Sequence, residues 1–407
     1  MRRRAVETEA QTEPSADERA RRARDPYPFF AEKRSQAGVF RGSVMDYSKT
    51  PESLRPKQSY AAMSFNAVNT AFRDGKVFNS AMYDATIGLF IGPTILAMGG
   101  TTHREHRNLV SAAFKSKSLA RWEPEIVRPI VNALIDEFIE SGETDLIKDF
   151  TFEFPTRVIA TLLGLPEEDL PTFRKRAVDL ISYTINYKQA FESSAALKDY
   201  FLEQMDERKA NPTEDIIGDL VTAEIDGEKL TDEAIYSFLR LLLPAGLETT
   251  YRSSGNLLYL LLSHPEQFKA VQENHELIGP AIEEGLRFET PLTTVQRFTS
   301  EDTELEGVVI PVNSVVDVCI GSANRDEARW DRPEEFDVFR TRTPHIAFAA
   351  GEHTCLGLHL ARLETRIAVE CLLTRLTNIR LLDDGDPHIH GQPFRSPNVL
   401  PVTFDAR

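Results

Sequence analysis

Apolar residues recur at helical spacing through most of this chain. The stretch "LARWEPEIVRPIVNALIDEFIES" at 119–141 places them three and four apart, and "ETRIAVECLLTRLTNIRLL" at 364–382 does the same. Strand-like segments are short and lie toward the two ends: "GVFRGSVM", "SYAAMSF", "QRFTSEDTELEGVVIP", "SVVDVCIG" and the terminal "VLPVTF". The pattern predicts a mainly α protein with a small β region.

The longest candidate helix covers residues 232 to 262. Thr231 caps it, Asp232 and Glu233 fill its first turn, and "SHP" at 263–265 stops it. At about 1.5 Å per residue it spans some 45 Å, so it must cross the molecule and be central. Yet it contains "LLLPAGLETT". There Pro244 removes a backbone donor, Gly246 weakens the helix, and Glu248 and Thr249 bring polar groups into an apolar run. Proline alone costs about 3 kcal/mol inside a helix. Four such features together predict a distorted, functional turn.

Composition narrows the function. Lys and Arg number 47 and Asp and Glu 63, a formal charge of −16 over 407 residues. That balance argues against nucleic-acid binding, which draws on cationic contacts to phosphate. No linker or repeat divides the interior, so residues 26–407 read as a single domain. The first 25 residues are charged and poor in large apolar side chains, and are expected to form a flexible arm. No apolar run approaches the ~20 residues of a membrane helix, and a soluble, cytoplasmic protein is expected. Three cysteines, Cys319, Cys355 and Cys371, make an odd, sparse set suited to a reducing compartment.

Cys319 and Cys371 lie in apolar strand and helix patterns and read as core thiols. Cys355 sits in "FAAGEHTCLG" at 348–357, a turn marked by glycines. Zinc would need about four ligands, and His353, Cys355 and His359 are not completed by a second pair. A nucleophilic cysteine leaves the glycines unexplained. An axial thiolate on haem iron explains more: the glycines let the backbone approach a macrocycle, and a helix starting just after the cysteine aims its positive end at the sulfur, which favours a thiolate.

This loop resembles the haem-binding loop of the cytochrome P-450 family. Other landmarks of that family follow in order: "HREHR" at 103–107, "AGLET" at 245–249, "EGLR" at 284–287 and "RPEEFDVFR" at 332–340. The resemblance spans roughly residues 26 to 407. One position departs from it, since Ala349 stands where the family usually has glycine.

The resemblance implies a cytochrome P-450 fold, with haem b between the long central helix and the cysteine-loop helix. It implies that Cys355 is the iron ligand, with Phe348, Gly351 and Gly357 in its loop and Ala245 and Gly246 on the central helix bordering the macrocycle. His103, Arg107, Arg297 and His353 correspond to the propionate partners, and Glu284, Arg287 and Arg340 to a buried scaffold. Thr249 and Glu248 match the alcohol and acid that deliver protons during dioxygen cleavage, with Glu248 linking to solvent. The expected activity is hydroxylation of an apolar small molecule, with electrons from a separate ferredoxin and an NAD(P)H-dependent ferredoxin reductase. A patch of Arg104, Lys115, Lys117 and Arg342 is the expected docking place for an acidic ferredoxin. Ile87, Leu89, Phe90, Leu241, Ala245, Leu292, Val295 and Phe394 are the substrate-pocket candidates. A peroxide-dependent member, or a haem-binding sensor or carrier without turnover, are the alternatives.

Overall fold

The computed structural model describes residues 15–48, 52, 55–114, 116–181, 186–225, 227–382 and 385–407. Helices dominate, and their apolar faces meet in one large core that includes Val131, Phe150, Leu243, Leu261 and Ile367. The predicted central helix is present but consists of three pieces: an α-helix over Asp232–Leu243, a π-turn over Pro244–Glu248, and an α-helix over Thr249–Ser263. The Thr231 side chain accepts from the Ala234 amide at 3.2 Å, which caps the start. Helix Ile278–Phe288 packs on its second half and on helix Leu358–Arg375. That approach is close, because a Cβ on Gly285 would lie 3.1 Å from Leu257.

A five-stranded sheet runs in the order Val39–Arg41, Ser59–Ala62, Val315–Val318, Val295–Thr299, Phe78–Asn79. Its central strand pairs in parallel with the second, Val316 opposite Tyr60, and antiparallel with the fourth, Val316 opposite Arg297. This register fixes Arg297. A three-stranded sheet joins Leu376–Leu381, Pro401–Ala406 and Glu143–Asp145. Among the described residues no helix is long and apolar enough to cross a membrane.

Three sequence expectations differ from the structure. The helical pattern at 364–382 stops at Arg375, and Leu376–Leu381 is a strand. Asn378 takes φ +50° at a register shift there, a conformation no helix accommodates. The stretch 119–141 is broken into α, π and 3₁₀ segments, with Pro124 and Pro129 in the first turns of its middle pieces. Of the expected flexible arm, residues 1–14 lie outside the described residues, whereas Ala16–Arg24 is a helix capped by Ser15. The Ala23 carbonyl accepts from the Gly391 amide at 2.7 Å and from Arg395 at 3.2 Å, and Arg22 covers the Phe29 ring at 3.7 Å. These contacts offset the ordering entropy of an otherwise polar segment.

Candidate active site

The π-turn is where the central helix departs from regular geometry. Pro244 lacks the amide that would continue the α ladder, and the chain widens for one turn. The Thr249 hydroxyl donates to the Ala245 carbonyl at 2.9 Å. Ala245 is exposed although Leu243 and Leu247 beside it are buried, so one face of this turn is not covered by protein. Glu248 is buried, and Arg252 one turn on donates to its Oε1 at 3.0 Å. Burial pushes its carboxyl above the usual range and Arg252 opposes that. The expectation that Glu248 reaches solvent is corrected: in this structure its carboxylate is held by Arg252.

The cysteine loop is closed by its own backbone. The Cys355 amide donates to the Phe348 carbonyl at 2.9 Å, and the Ala349 amide to Ile346 at 3.0 Å. Ala349, in the place of the family's glycine, nevertheless adopts φ +59°. The turn keeps a left-handed residue and carries about 1–2 kcal/mol of strain for it. Gly351 cannot be replaced as cheaply, since φ is +73° and a Cβ would sit 2.4 Å from the Phe72 carbonyl oxygen. The Cys355 side chain is exposed although protein surrounds it closely, so it opens into a recess. Burial pushes its thiol up, opposed by the Gly357 amide, Arg107 and Arg362.

Basic side chains from three elements meet beside the loop. Helix Gly100–Ser111 supplies His103 and Arg107, strand Val295–Thr299 supplies Arg297, and the loop supplies His353. The His103 and His353 rings meet at a tilt of 47° with their centres 4.4 Å apart. Arg107 donates to the Thr354 carbonyl at 2.5 Å. Burial, with Arg297, His103 and Arg107 acting in the same direction, lowers the pKa of His353 to about 3. Arg297 is buried, and burial lowers its pKa too, against Tyr83 and Glu352. Tyr83 and Glu352 were not among the sequence candidates. Glu352 lies within the cysteine loop beside His353, whereas Tyr83 carries no motif and only the fold brings it here.

Behind the loop, Arg287 donates twice to Glu284, each bond 2.8 Å, and Arg340 donates to the same carboxylate at 3.2 Å. The Asp337 amide adds a fourth bond at 3.0 Å. The remaining Arg287 donors go to the carbonyls of Asn324, Pro333 and Glu335. This pairing ties helix Ile278–Phe288 to the 324–340 segment. Beside it, Arg362 makes a bidentate pair with Glu283 at 2.6 and 2.8 Å. Burial raises the Glu283 pKa, but Arg362 and His345 overcome it and hold it at about 2.

The pocket candidates divide. Ala245 is exposed, and Ile87, Leu292, Val295 and Phe394 are half-buried, with Leu292 and Phe394 paired in an isolated β-bridge. Leu89 is 59 % exposed, on the short helix Gly88–Ile91. Leu241 is buried in the helical core. Phe90 is corrected: it packs against Tyr187 and Phe191 at ring distances of 5.2 and 4.4 Å and is only 4 % exposed. Of the basic patch, Arg104, Lys117 and Arg342 are exposed, and Lys115 lies outside the described residues.

Two features test whether these residues suit a haem. A Cβ on Gly246 or on Gly357 would meet no protein atom within 4 Å, so both places border open space in which a flat group could lie close to the backbone. The buried His103 Nε2 has no hydrogen-bond partner among the described residues, and the Arg107 and Arg297 guanidiniums lie in the same cluster. Among the described residues Glu352 is the carboxylate beside this cluster, 4.0 Å from His103 Nδ1, and it stands against two guanidiniums, so propionates would balance the remaining charge. The residues fit the group.

The cytochrome P450 family profile matches residues 169–390. The biotin biosynthesis cytochrome P450 of Bacillus subtilis is 32% identical over 397 residues, covering 94% of this chain and 97% of the relative. The cytochrome P450 monooxygenase PikC of Streptomyces venezuelae is 32% identical over 393 residues, covering 94% and 92%. Among solved structures, cytochrome P450 CYP109Q5 from Chondromyces apiculatus superposes with a TM-score of 0.86 at 33% identity, covering 95% of this chain and 97% of that one. With the cysteine loop, the π-turn and the cation cluster in one fold, the chain belongs to the cytochrome P450 family of haem-thiolate enzymes and is a P450 monooxygenase acting on small organic substrates.

Proposed function

We propose that the chain hydroxylates an apolar small molecule, holding haem b through Cys355 and taking electrons from a separate ferredoxin and its NAD(P)H-dependent reductase. The observation that carries this reading is the π-turn, which sets an alcohol and an acid, Thr249 and Glu248, next to the exposed Ala245. When bound, the haem supplies the redox and oxygen chemistry. The chain supplies the rest. Cys355 would be the iron ligand, and His103, Arg107, Arg297 and His353 would hold the propionates and neutralise their charge. Gly246 and Gly357 leave room for the macrocycle on the helix and the loop.

Thr249 holds a proton at Oγ1, which its bond to the Ala245 carbonyl orients. Glu248 exchanges protons from its buried carboxyl, whose raised pKa brings it nearer the working pH of a general acid. Leu292, Val295 and Phe394 are the half-buried apolar groups that support an apolar substrate. Exposed Arg104, Lys117 and Arg342 suit an acidic electron donor, although the chain as a whole is negative. Cytoplasmic residence accords with the sparse cysteines.

The test is reconstitution with ferredoxin, reductase and NAD(P)H against a library of apolar compounds preselected by their shift of the haem spin state. Compound-dependent NAD(P)H consumption with a hydroxylated product supports the reading. Product from hydrogen peroxide alone would reassign the chain to peroxide use, and a spectral shift without product under either regime would make it a sensor or carrier.

A further inference from the structure

We propose that Arg252 is a positioning residue for proton delivery, clamping Glu248 to the loop that carries Phe394 and Ser396. This rests on the reading of Glu248 as the acid. Arg252 lies one helical turn after Glu248, and its Nη2 donates to Glu248 Oε1 at 3.0 Å while its Nη1 donates to Ser396 Oγ at 2.8 Å. The guanidinium also lies 5.6 Å from the centre of the Phe394 ring and 4.9 Å from that of Tyr251. One side chain therefore touches the acid, a pocket candidate and the loop between them.

The loop end of the clamp is fixed. Ser396 exchanges backbone hydrogen bonds with His390 at 3.1 and 3.2 Å. Arg395, 1 % exposed, donates to Glu289 and to the carbonyls of Ala23, Arg24 and Gly391. The Ala16–Arg24 helix thus braces the loop from outside. A planar guanidinium with two separate nitrogens engaged transmits a shift of the Phe394 loop to Glu248, as a flexible ammonium does less well.

The charges bearing on Glu248 are few. Arg252 is the charged group that acts on its carboxyl among the described residues, and the helices Glu153–Leu162 and Leu170–Ile181 packed on this turn add none that shifts it. Tyr251, Ser396 and His390 lie on the Arg252 side, and each feels Arg252 or bonds to its partner. A buried carboxylate without its cation is costly, so the protonation state of Glu248 follows the position of Arg252. An ordinary i, i+4 surface pair, open to solvent on both sides, carries no such consequence.

The experiment compares Arg252→Met, Arg252→Lys, Ser396→Ala and Glu248→Gln as haem-loaded proteins whose reduced carbon monoxide spectrum shows that the fold is kept. Two quantities are read: product formed per NADH, and the infrared carboxyl band of Glu248 against pH, identified by its loss in Glu248→Gln. Arg252→Met is expected to lower the product ratio on the order of tenfold, below the 10²-fold typical of losing a general acid itself. Its Glu248 band should persist to higher pH than in the parent. Arg252→Lys should restore part of both, and Ser396→Ala should move both in the same direction by less. If Arg252→Met or, should that variant not fold, Ser396→Ala leaves both ratio and band unchanged, the clamp is refuted. If Glu248→Gln itself keeps the parent ratio, the acid assignment fails, and that outcome is separate from a failure at Arg252 alone.

Discussion

The cysteine side of the molecule and the central helix differ in how their polar groups are satisfied. Around the cysteine, the Glu284 carboxylate receives both Arg287 and Arg340, and the loop closes on itself through Cys355 and Phe348. The ion pairs and the backbone bond hold the loop from two sides, so the backbone that carries the sulfur is closely constrained. On the central helix the α pattern is broken by the π-turn at Pro244, the Thr249 hydroxyl bonds the Ala245 carbonyl, and a buried acid depends on one arginine. The first arrangement suits holding a cofactor still, and the second suits moving protons. The contrast shows that one chain spends its polar pairing on rigidity where geometry must not change and leaves it sparse where it must.

The comparison can be broken most completely at Cys355. Replacing it by Ala should abolish the thiolate-type absorption band of the reduced carbon monoxide complex, because Cys319 and Cys371 are buried in the core. Survival of that band would remove the cysteine from the site. Next comes the scaffold. Glu284→Gln leaves Arg287 and Arg340 without their carboxylate in a buried place, and the expected cost is about 3–5 kcal/mol in a urea unfolding titration, with reduced haem retention. A loss under about 1 kcal/mol, the range of a surface pair, would show that this side is not held by the ion pair.

On the helix side, Thr249→Ala should leave haem spectrum and substrate affinity nearly intact. Product per NADH should fall by about 10²-fold while NADH consumption persists. An unchanged ratio would move proton delivery elsewhere on the π-turn. The smallest effect concerns the loop's strained residue. Ala349→Gly should raise thermal stability by about 1 kcal/mol, since glycine takes φ +59° without the Cβ clash. A loss of stability there would mean that the alanine methyl contributes more by packing against Ile346 and Phe72 and their neighbours than its backbone costs.

Much of this was legible in the sequence because the signals were local. Helical spacing marked the central helix, and Pro244, Gly246, Glu248 and Thr249 marked its distortion, since each acts on the backbone within one turn. The cysteine loop was equally readable from its glycines. The strand at Leu376–Leu381 was not: its apolar residues also fit a helical period, and the choice fell to pairing with Pro401–Ala406, a partner 25 residues away in the chain. Residues 16–24 gave no apolar signal, and their order comes from hydrogen bonds to the far C-terminal loop.

The chain's own residues therefore marked most of the helices, the distorted turn and the cysteine loop, because propensity, capping and glycine placement act over a few residues. Only the tertiary structure decided which groups meet. Tyr83 and Glu352 near Arg297, Arg362 near Cys355, and Arg252 between Glu248 and Ser396 are contacts between distant segments, set by packing and strand register. It also decided the electrostatics, since burial moves the Glu248 and Cys355 pKa values up and that of His353 down, and burial is a property of the fold.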